Sequence, residues 1–206
     1  ELGTVYTPAE VSALARLAHD AGLAVHMDGA RFGNAVAALG ASPADITWRA
    51  GVDLMSFGGT KNGCLAAEAI VVFSPDKLHD LAARRQRAGH TFSKSRYIAA
   101  QFEGYLAEGK WLERARHANA MADRLRAGIA ASPTARLGWD NVANEVFAVL
   151  QRATIKRLKD AGASFYDWPA ESAPQARRPT PDEDLVRLVT SWATSPEEVE
   201  RFLALL

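Results

Sequence analysis

The feature that most constrains this chain is a set of short apolar runs, each cut off by a polar segment carrying glycine or proline. Leu23–Met27, Val52–Phe57 and Ala69–Phe73 are five or six residues long. Runs of that length, bounded in this way, read as buried strands rather than helices. Between them lie stretches with helical spacing. Thr7–Ala21 places Val11, Leu14, Ala15 and Ala18 on one stripe. Thr7 reads as its N-cap, Pro8 as its first helical residue, Glu10 as the far half of a capping box and Gly22 as its terminator. Ala35–Leu39 reads as a weaker helix ended by Gly40, and Ser42-Pro43-Ala44-Asp45 opens another short one. Alternating helices and short strands predict an α/β domain whose sheet faces are covered.

The middle of the chain differs. Residues 76–132 hold no convincing strand. Trp111, Ala115, Ala118, Ala122, Leu125 and Ile129 recur every three or four residues and predict a long amphipathic helix, set off by Gly109 from an earlier helix over 95–107. In the last third, Glu145–Leu150, Ser164–Trp168 and Leu185–Trp192 are strand candidates. Thr154–Ala161 reads as a helix ending at Gly162, and Ser195-Pro196-Glu197-Glu198 caps a final one. Pro169, Pro174, Pro179 and Pro181 mark the stretch leading to Glu183 as turns. This last part is a small α+β unit. The expected division is residues 1–108, then 109–206 with the long helix as link.

Charge narrows the function. Lys and Arg total 24 against 24 Asp and Glu, so no basic excess exists to meet nucleic-acid phosphates or an anionic membrane. No apolar run approaches the roughly 18 residues of a membrane helix. The single cysteine, Cys64, cannot form an internal disulfide and points to a reducing, cytoplasmic setting. It reads as a small packed residue. The five histidines (His19, His26, His79, His90, His117) are scattered, no Cys/His cluster suggests a metal, and neither Gly-x-Gly-x-x-Gly nor a phosphate loop is present.

Two polar segments follow predicted strands: Asp28-Gly29-Ala30-Arg31, and Ser56-Phe57-Gly58-Gly59-Thr60-Lys61-Asn62-Gly63. Ligands of open α/β sheets gather at the carboxyl ends of strands. An acid after one strand and a lysine after the next suit pyridoxal phosphate. That cofactor needs a lysine to hold it as a Schiff base and a carboxylate to keep its pyridine nitrogen protonated. Burial and nearby cations would expose the neutral amine. Taken singly, Asp-Gly reads as a turn and the lysine loop as a surface loop. Strand alternation puts His26 on the same face as Asp28.

In combination, His26-Met27-Asp28-Gly29-Ala30-Arg31, Asp53 through Ser56, Ser56 through Cys64, Ala67-Glu68-Ala69 and Val186-Arg187-Leu188-Val189-Thr190-Ser191-Trp192 resemble the pyridoxal-phosphate enzymes of the aspartate-aminotransferase fold. Within these the chain looks most like the low-specificity L-threonine aldolases of the β-eliminating lyase group. The resemblance implies a partial transferase-type large domain, α/β with a mainly parallel sheet, followed by the small α+β domain. It implies Lys61 as the cofactor lysine, Asp28 at the pyridinium nitrogen, Thr60 as a cofactor-positioning residue, and Arg31 and Arg187 on the substrate carboxylate. Without it, Arg187 reads as an exposed strand arginine. The implied reaction is retro-aldol cleavage of L-threonine, L-allo-threonine or related β-hydroxy-α-amino acids to glycine and an aldehyde. The implied partners are the amino-acid substrate and further copies of the chain, as a dimer sharing active sites or a tetramer.

In the same fold a phosphate-binding helix N-terminus, a histidine stacked on the cofactor ring and the catalytic base come before the helix that starts here at Thr7. The expectation is therefore an amino-terminally truncated chain that alone binds cofactor poorly. Ser93-Lys94-Ser95-Arg96 reads as a solvated helix start, with contact to a neighbouring subunit's cofactor phosphate as the alternative. An aminotransferase and a β-eliminating lyase remain competing readings, because lysine and aspartate are common to the cofactor rather than to one reaction, and the expected truncation keeps a non-catalytic chain as a third.

Overall fold

The structure, a computed structural model, describes residues 2–77, 79–91 and 93–206. It divides into two units: Tyr6–Arg114, and Ala115–Leu206 together with the opening residues up to Val5. A kink lies at 108/109, where a domain boundary was expected and where Glu108 (φ 55°) and Gly109 (φ 73°) are left-handed. The division itself falls a few residues later, inside a helix.

The first unit opens with α1 (Pro8–Asp20). Its capping box forms as the sequence dictates: Glu10 N–H donates to Thr7 Oγ1 at 3.3 Å and Thr7 N–H to Glu10 Oε2 at 2.7 Å. Then come β1 (His26–Gly29), α2 (Phe32–Leu39) with Gly40 left-handed after it, β2 (Leu54–Gly58), β3 (Glu68–Val72), α3 (Leu81–Arg87) and α4 (Ser95–Leu106). The sheet order is β1-β2-β3. β1 and β2 are parallel, whereas β3 runs antiparallel to β2. Connection length decides this. β1 and β2 are 24 residues apart, enough for a crossover through α2, but only nine separate Gly58 from Glu68, fewer than a parallel crossover needs. The mainly parallel character expected of the large domain is thus carried here by one strand pair.

Several boundaries shift from expectation: β1 and β2 start three and two residues later than expected, and two shifts lie beside the candidate site. β1 runs through Asp28 and Gly29 instead of stopping at Met27, because both residues pair with β2. α2 starts three residues earlier than Ala35, and the segment after Ser42 forms turns and a short 3-10 stretch at Trp48–Ala50. Met27, Met55, Phe57 and Val71 pack with Phe32, Val36, Tyr105 and Trp111 into one core. Asp53, 2% exposed, ties the lower end of the sheet together. Its carboxylate accepts the Val25 N–H at 2.8 Å and bonds His19 Nε2 at 2.8 Å, while its carbonyl accepts the Phe73 N–H at 2.8 Å.

The long helix α5 (Lys110–Ala131) buries Ala115, Ala118, Ala122, Leu125 and Ile129 as its spacing requires. The second unit continues with β4 (Ala135–Leu137), β5 (Glu145–Gln151), α6 (Arg152–Asp160), β6 (Tyr166–Trp168), β7 (Glu183–Val189) and α7 (Pro196–Leu203). Here β6 starts two residues later than expected, and β7 runs Glu183–Val189 instead of Leu185–Trp192. The antiparallel sheet of this unit has the order β4-β5-β7-β6. β5 is covered on both faces, which explains its unbroken apolar run. Val146, Ala148 and Leu150 join Val186, Leu188 and α5 on one side, and Phe147 and Val149 join Leu185 on the other. The opening segment is docked on this unit: Trp139 Nε1 donates to the Leu2 carbonyl at 2.8 Å. At its surface Arg136 bonds Glu183 (Nη2 to Oε2, 2.8 Å). That contact, with help from Thr180, holds the Glu183 carboxyl at about 2 instead of 4.5.

Two outcomes follow. Asp53→Ala removes acceptors from a buried N–H and from His19, and should lower the unfolding free energy by about 2–4 kcal/mol in urea titrations. Asp53→Asn, which keeps one acceptor oxygen, should cost less. Glu183 binds protons more readily unfolded than folded, so its stabilisation is full above about pH 4.5 and fades as pH falls towards 2. Glu183→Gln should flatten the acid limb of the second unit's stability profile across that window.

Candidate functional site

The first unit brings the carboxyl ends of two strands to one end of its sheet. β1 and β2 are parallel and in register, with Asp28 opposite Ser56 and Gly29 opposite Phe57. The strands approach so closely that a Cβ on Gly29 would lie 2.4 Å from the Ser56 carbonyl oxygen. Gly29 therefore admits no side chain. Alternation turns Met27 and Gly29 inward and leaves His26 and Asp28 exposed on the other face. Asp28 Oδ1 accepts the Ala30 N–H at 3.0 Å, an Asx-type turn that fixes the carboxylate at the strand end. Arg31, half-buried, immediately precedes α2.

β2 leaves the sheet through a tightly bonded loop. Gly59 N–H donates to the Ala67 carbonyl at 2.8 Å, and the Gly59 carbonyl accepts the N–H groups of Asn62 (3.0 Å) and Cys64 (3.1 Å). Thr60–Asn62 forms one 3-10 turn, closed by Gly63 at φ 106°. The Thr60 hydroxyl accepts the Ala67 N–H at 3.0 Å. Lys61 is exposed, not buried as its chemistry led one to expect. The residues around it carry the loop's packing instead. Cys64 is half-buried, and burial pushes its thiol above the usual range, which suits a packed residue and not a nucleophile. Ser93 and Lys94 lie in a turn, and Arg96 lies over the Tyr97 ring at 4.9 Å.

Arg187 belongs to the second unit. It stands on β7 opposite Phe147, with its side chain 18% exposed. It pairs with Glu145, whose side chain is 2% exposed, two positions along β5 on the same sheet face. Its guanidinium also lies over the Trp168 ring at 5.3 Å. It is thus no exposed strand arginine: a charge so enclosed requires a carboxylate partner, and β5 provides one. Arg187 Nε and Trp168 Nε1 are buried and find no hydrogen-bond acceptor among the described residues.

Asp28, Thr60, Lys61 and Arg31 therefore share one end of the first unit's sheet, and Arg187 is held separately in the second. Reasoning from sequence missed three groups that shape these places. Glu145 had a legible signal, a lone acid opening an otherwise uncharged run. Asn62 and Tyr105, hydrogen-bonded at 2.8 Å, had none, since 43 residues separate them in the chain. Among the described residues, no group of three or more His, Cys, Asp or Glu could hold a metal ion, and no helix is long and apolar enough to cross a membrane.

Comparison with known proteins adds to this geometry. The beta-eliminating lyase family profile matches residues 1–152. The chain belongs to the beta-eliminating lyase family. It is 41% identical over 199 residues to the low specificity L-threonine aldolase of Pseudomonas aeruginosa, and 37% identical over 204 residues to that of Pseudomonas sp. strain NCIMB 10558. These alignments cover 97% and 99% of the chain but 54% and 56% of the relatives. The chain thus spans about half the length of the curated relatives it matches. The threonine aldolase of Leishmania major superposes with a TM-score of 0.87 at 26% identity, over 99% of this chain and 57% of that one. The fold read from the sequence, α/β followed by a small α+β part, is the fold of this family.

The Arg187–Glu145 pair is open to direct test. Arg187→Ala takes the cation from a buried carboxylate and should cost about 3–5 kcal/mol. Arg187→Ala with Glu145→Gln should recover part of that loss, and guanidinium unfolding of the four variants measures the coupling.

Proposed function

We propose that this chain serves a pyridoxal-phosphate-dependent aldehyde-lyase, a threonine aldolase acting on L-threonine, L-allo-threonine and related β-hydroxy-α-amino acids. The observation that carries the reading is the placement of Asp28 and Lys61. They leave the same end of adjacent parallel strands, the acid at the end of β1 and the lysine in the loop after β2. The donor set fits the cofactor. Lys61 offers an accessible primary amine, and Asp28 a carboxylate fixed at a strand end by its own turn. A Cβ on Gly58 would meet Glu68 and Ala30, and one on Gly59 would meet Cys64, within about 3 Å, so packing inside the protein keeps both positions without side chains. The naming of both Pseudomonas relatives supports the choice of aldolase over other reactions of this cofactor.

When bound, pyridoxal phosphate supplies an electron sink for the pair released at the substrate α-carbon. In the reaction the β-hydroxyl loses its proton, the Cα–Cβ bond breaks, Cβ becomes the aldehyde carbon and Cα gains a proton to give glycine. This chain's residues bind and orient. Lys61 Nζ would hold the cofactor covalently and Asp28 would keep a proton on its ring nitrogen. Thr60, its hydroxyl turned to the Ala67 amide, holds the loop in place beside the cofactor. Arg31 in the first unit and Arg187 in the second would each offer a guanidinium to an α-carboxylate. A planar guanidinium meets a carboxylate through two parallel hydrogen bonds, which fixes the bond at the α-carbon to be cleaved. Trp168 packs against the Arg187 guanidinium, its ring centroid 5.3 Å away. In this reading residues 1–108 belong to the cofactor-binding part and 109–206 to the linking helix and small part. The working enzyme is a cytoplasmic homo-oligomer, consistent with a lone unpaired Cys64.

Adding pyridoxal phosphate to the protein should produce a visible imine band that Lys61→Ala abolishes. Absence of the band both from this chain and from the chain extended by the preceding segment of its relatives overturns the cofactor assignment. L-Threonine should then release acetaldehyde in a coupled assay, and transamination without aldehyde would overturn the aldolase reading. In a Glu145→Gln background, Arg187→Ala should raise KM by the equivalent of about 2–5 kcal/mol with a smaller change in kcat.

A further inference from the structure

Lys61 is exposed, so packing of its own side chain does not set its direction. Its neighbours in the chain do. On one side the Thr60 hydroxyl is fixed on the Ala67 amide at 3.0 Å. On the other, Asn62 is 5% exposed and both protons of its amide are used. Asn62 Nδ2 donates to the Tyr105 hydroxyl at 2.8 Å and to the Trp111 carbonyl at 2.8 Å. Tyr105 is itself 1% exposed, in α4, and its ring packs among those of Phe57, Phe102 and Trp111. Trp111 lies in the first turn of α5. One side-chain amide therefore ties the residue after Lys61 to two helices that are remote in sequence.

We propose that Asn62 is a positioning residue for Lys61: its amide, anchored on Tyr105 and the Trp111 carbonyl, fixes the 3-10 turn from which Lys61 Nζ reaches an aldehyde. The proposal rests on the reading of Lys61 as the cofactor lysine. Two features of the loop argue for positioning and not for general stability. First, the turn is short. Asn62 N–H and Cys64 N–H share the Gly59 carbonyl, so any rotation at Asn62 passes directly to the peptide bearing Lys61. Second, the turn is closed on its far side as well. Gly63 is left-handed (φ 106°) and lies against the Arg114 side chain, a backbone conformation that glycine adopts without strain. Adjusting the Lys61 side chain alone would not compensate, because a tilted turn moves the origin of the whole butyl-ammonium arm. In imine formation Nζ adds to the aldehyde carbon and the carbonyl oxygen leaves as water. The rate of that addition depends steeply on the approach of the two atoms.

The test uses Tyr105→Phe, which removes the acceptor oxygen and keeps the packed ring, alongside Asn62→Ala and the double variant in the intact protein. Pyridoxal is added, imines are reduced with borohydride, and the label at Lys61 is compared by peptide mapping with that at Lys156, a surface lysine with a 78% exposed side chain. Selective labelling of Lys61 is expected in the unsubstituted protein. Tyr105→Phe should lower the Lys61-to-Lys156 ratio about five-fold or more while the melting temperature moves by no more than about 4 °C. The double variant should label no worse than Asn62→Ala alone, since Asn62→Ala already removes the contact that Tyr105→Phe deletes. If Lys61 is labelled selectively and equally in every variant, whatever their melting temperatures, the cofactor-lysine reading stands and the positioning role is overturned. If Lys61 is labelled no better than Lys156 without any substitution, the cofactor-lysine reading fails and the positioning role fails with it.

Discussion

The first unit depends on the buried Asp53 carboxylate. It stands just before β2, accepts the backbone N–H of Val25 ahead of β1, and bonds His19 on α1. Its main chain meanwhile receives Phe73 and Ser74 from the end of β3. One residue thus fixes three strand ends and a helix. The register it secures sets Asp28 opposite Ser56 and so decides where the acid stands relative to the loop that carries Lys61. A one-residue slip would turn Asp28 into the core and Met27 to solvent. Any function assigned to this end of the sheet is a consequence of that register.

The second unit meets a similar demand with a different device. Its sheet is covered on both faces, so a charged side chain on β7 has to be neutralised where it stands. Glu145 on the neighbouring strand does this for Arg187, and the Trp168 ring lies against the guanidinium. A guanidinium held in this way has lost most of its rotamer freedom before any ligand arrives. A second carboxylate would then find a preorganised fork rather than a flexible arm. The same enclosure makes the pair expensive to break, so under the proposed function substrate binding and folding stability would meet in one contact.

Much of the fold was legible from local signals. The capping boxes Thr7–Glu10 and Ser195–Glu198, the left-handed Gly40 after α2, the Gly109 break and the apolar stripe of α5 are short-range, and each appears where the spacing puts it. The misses share a cause. β4 at Ala135–Leu137 and α3 at Leu81–Arg87 lack strong periodicity of their own; three-residue β4 exists because β5 offers it a ladder. The antiparallel course of β3 was hidden in a connection length. Asn62 with Tyr105, and Asp53 with His19, are separated by 43 and 34 residues, so no local pattern marks them as partners.

By itself the sequence determined the chemistry of the candidate site: an acid after one strand, a lysine in a glycine-bearing loop after the next, and an arginine near the end of a late strand. Those identities follow from residue type and spacing, which tertiary contacts do not alter. Only the tertiary structure decided how each group is presented. It left Lys61 and Asp28 exposed, enclosed Arg187 with Glu145, and anchored the Lys61 turn through Asn62 on Tyr105. Exposure, pairing and anchoring depend on which distant segments come to lie against a residue, and that is settled when the strands pair and the cores close.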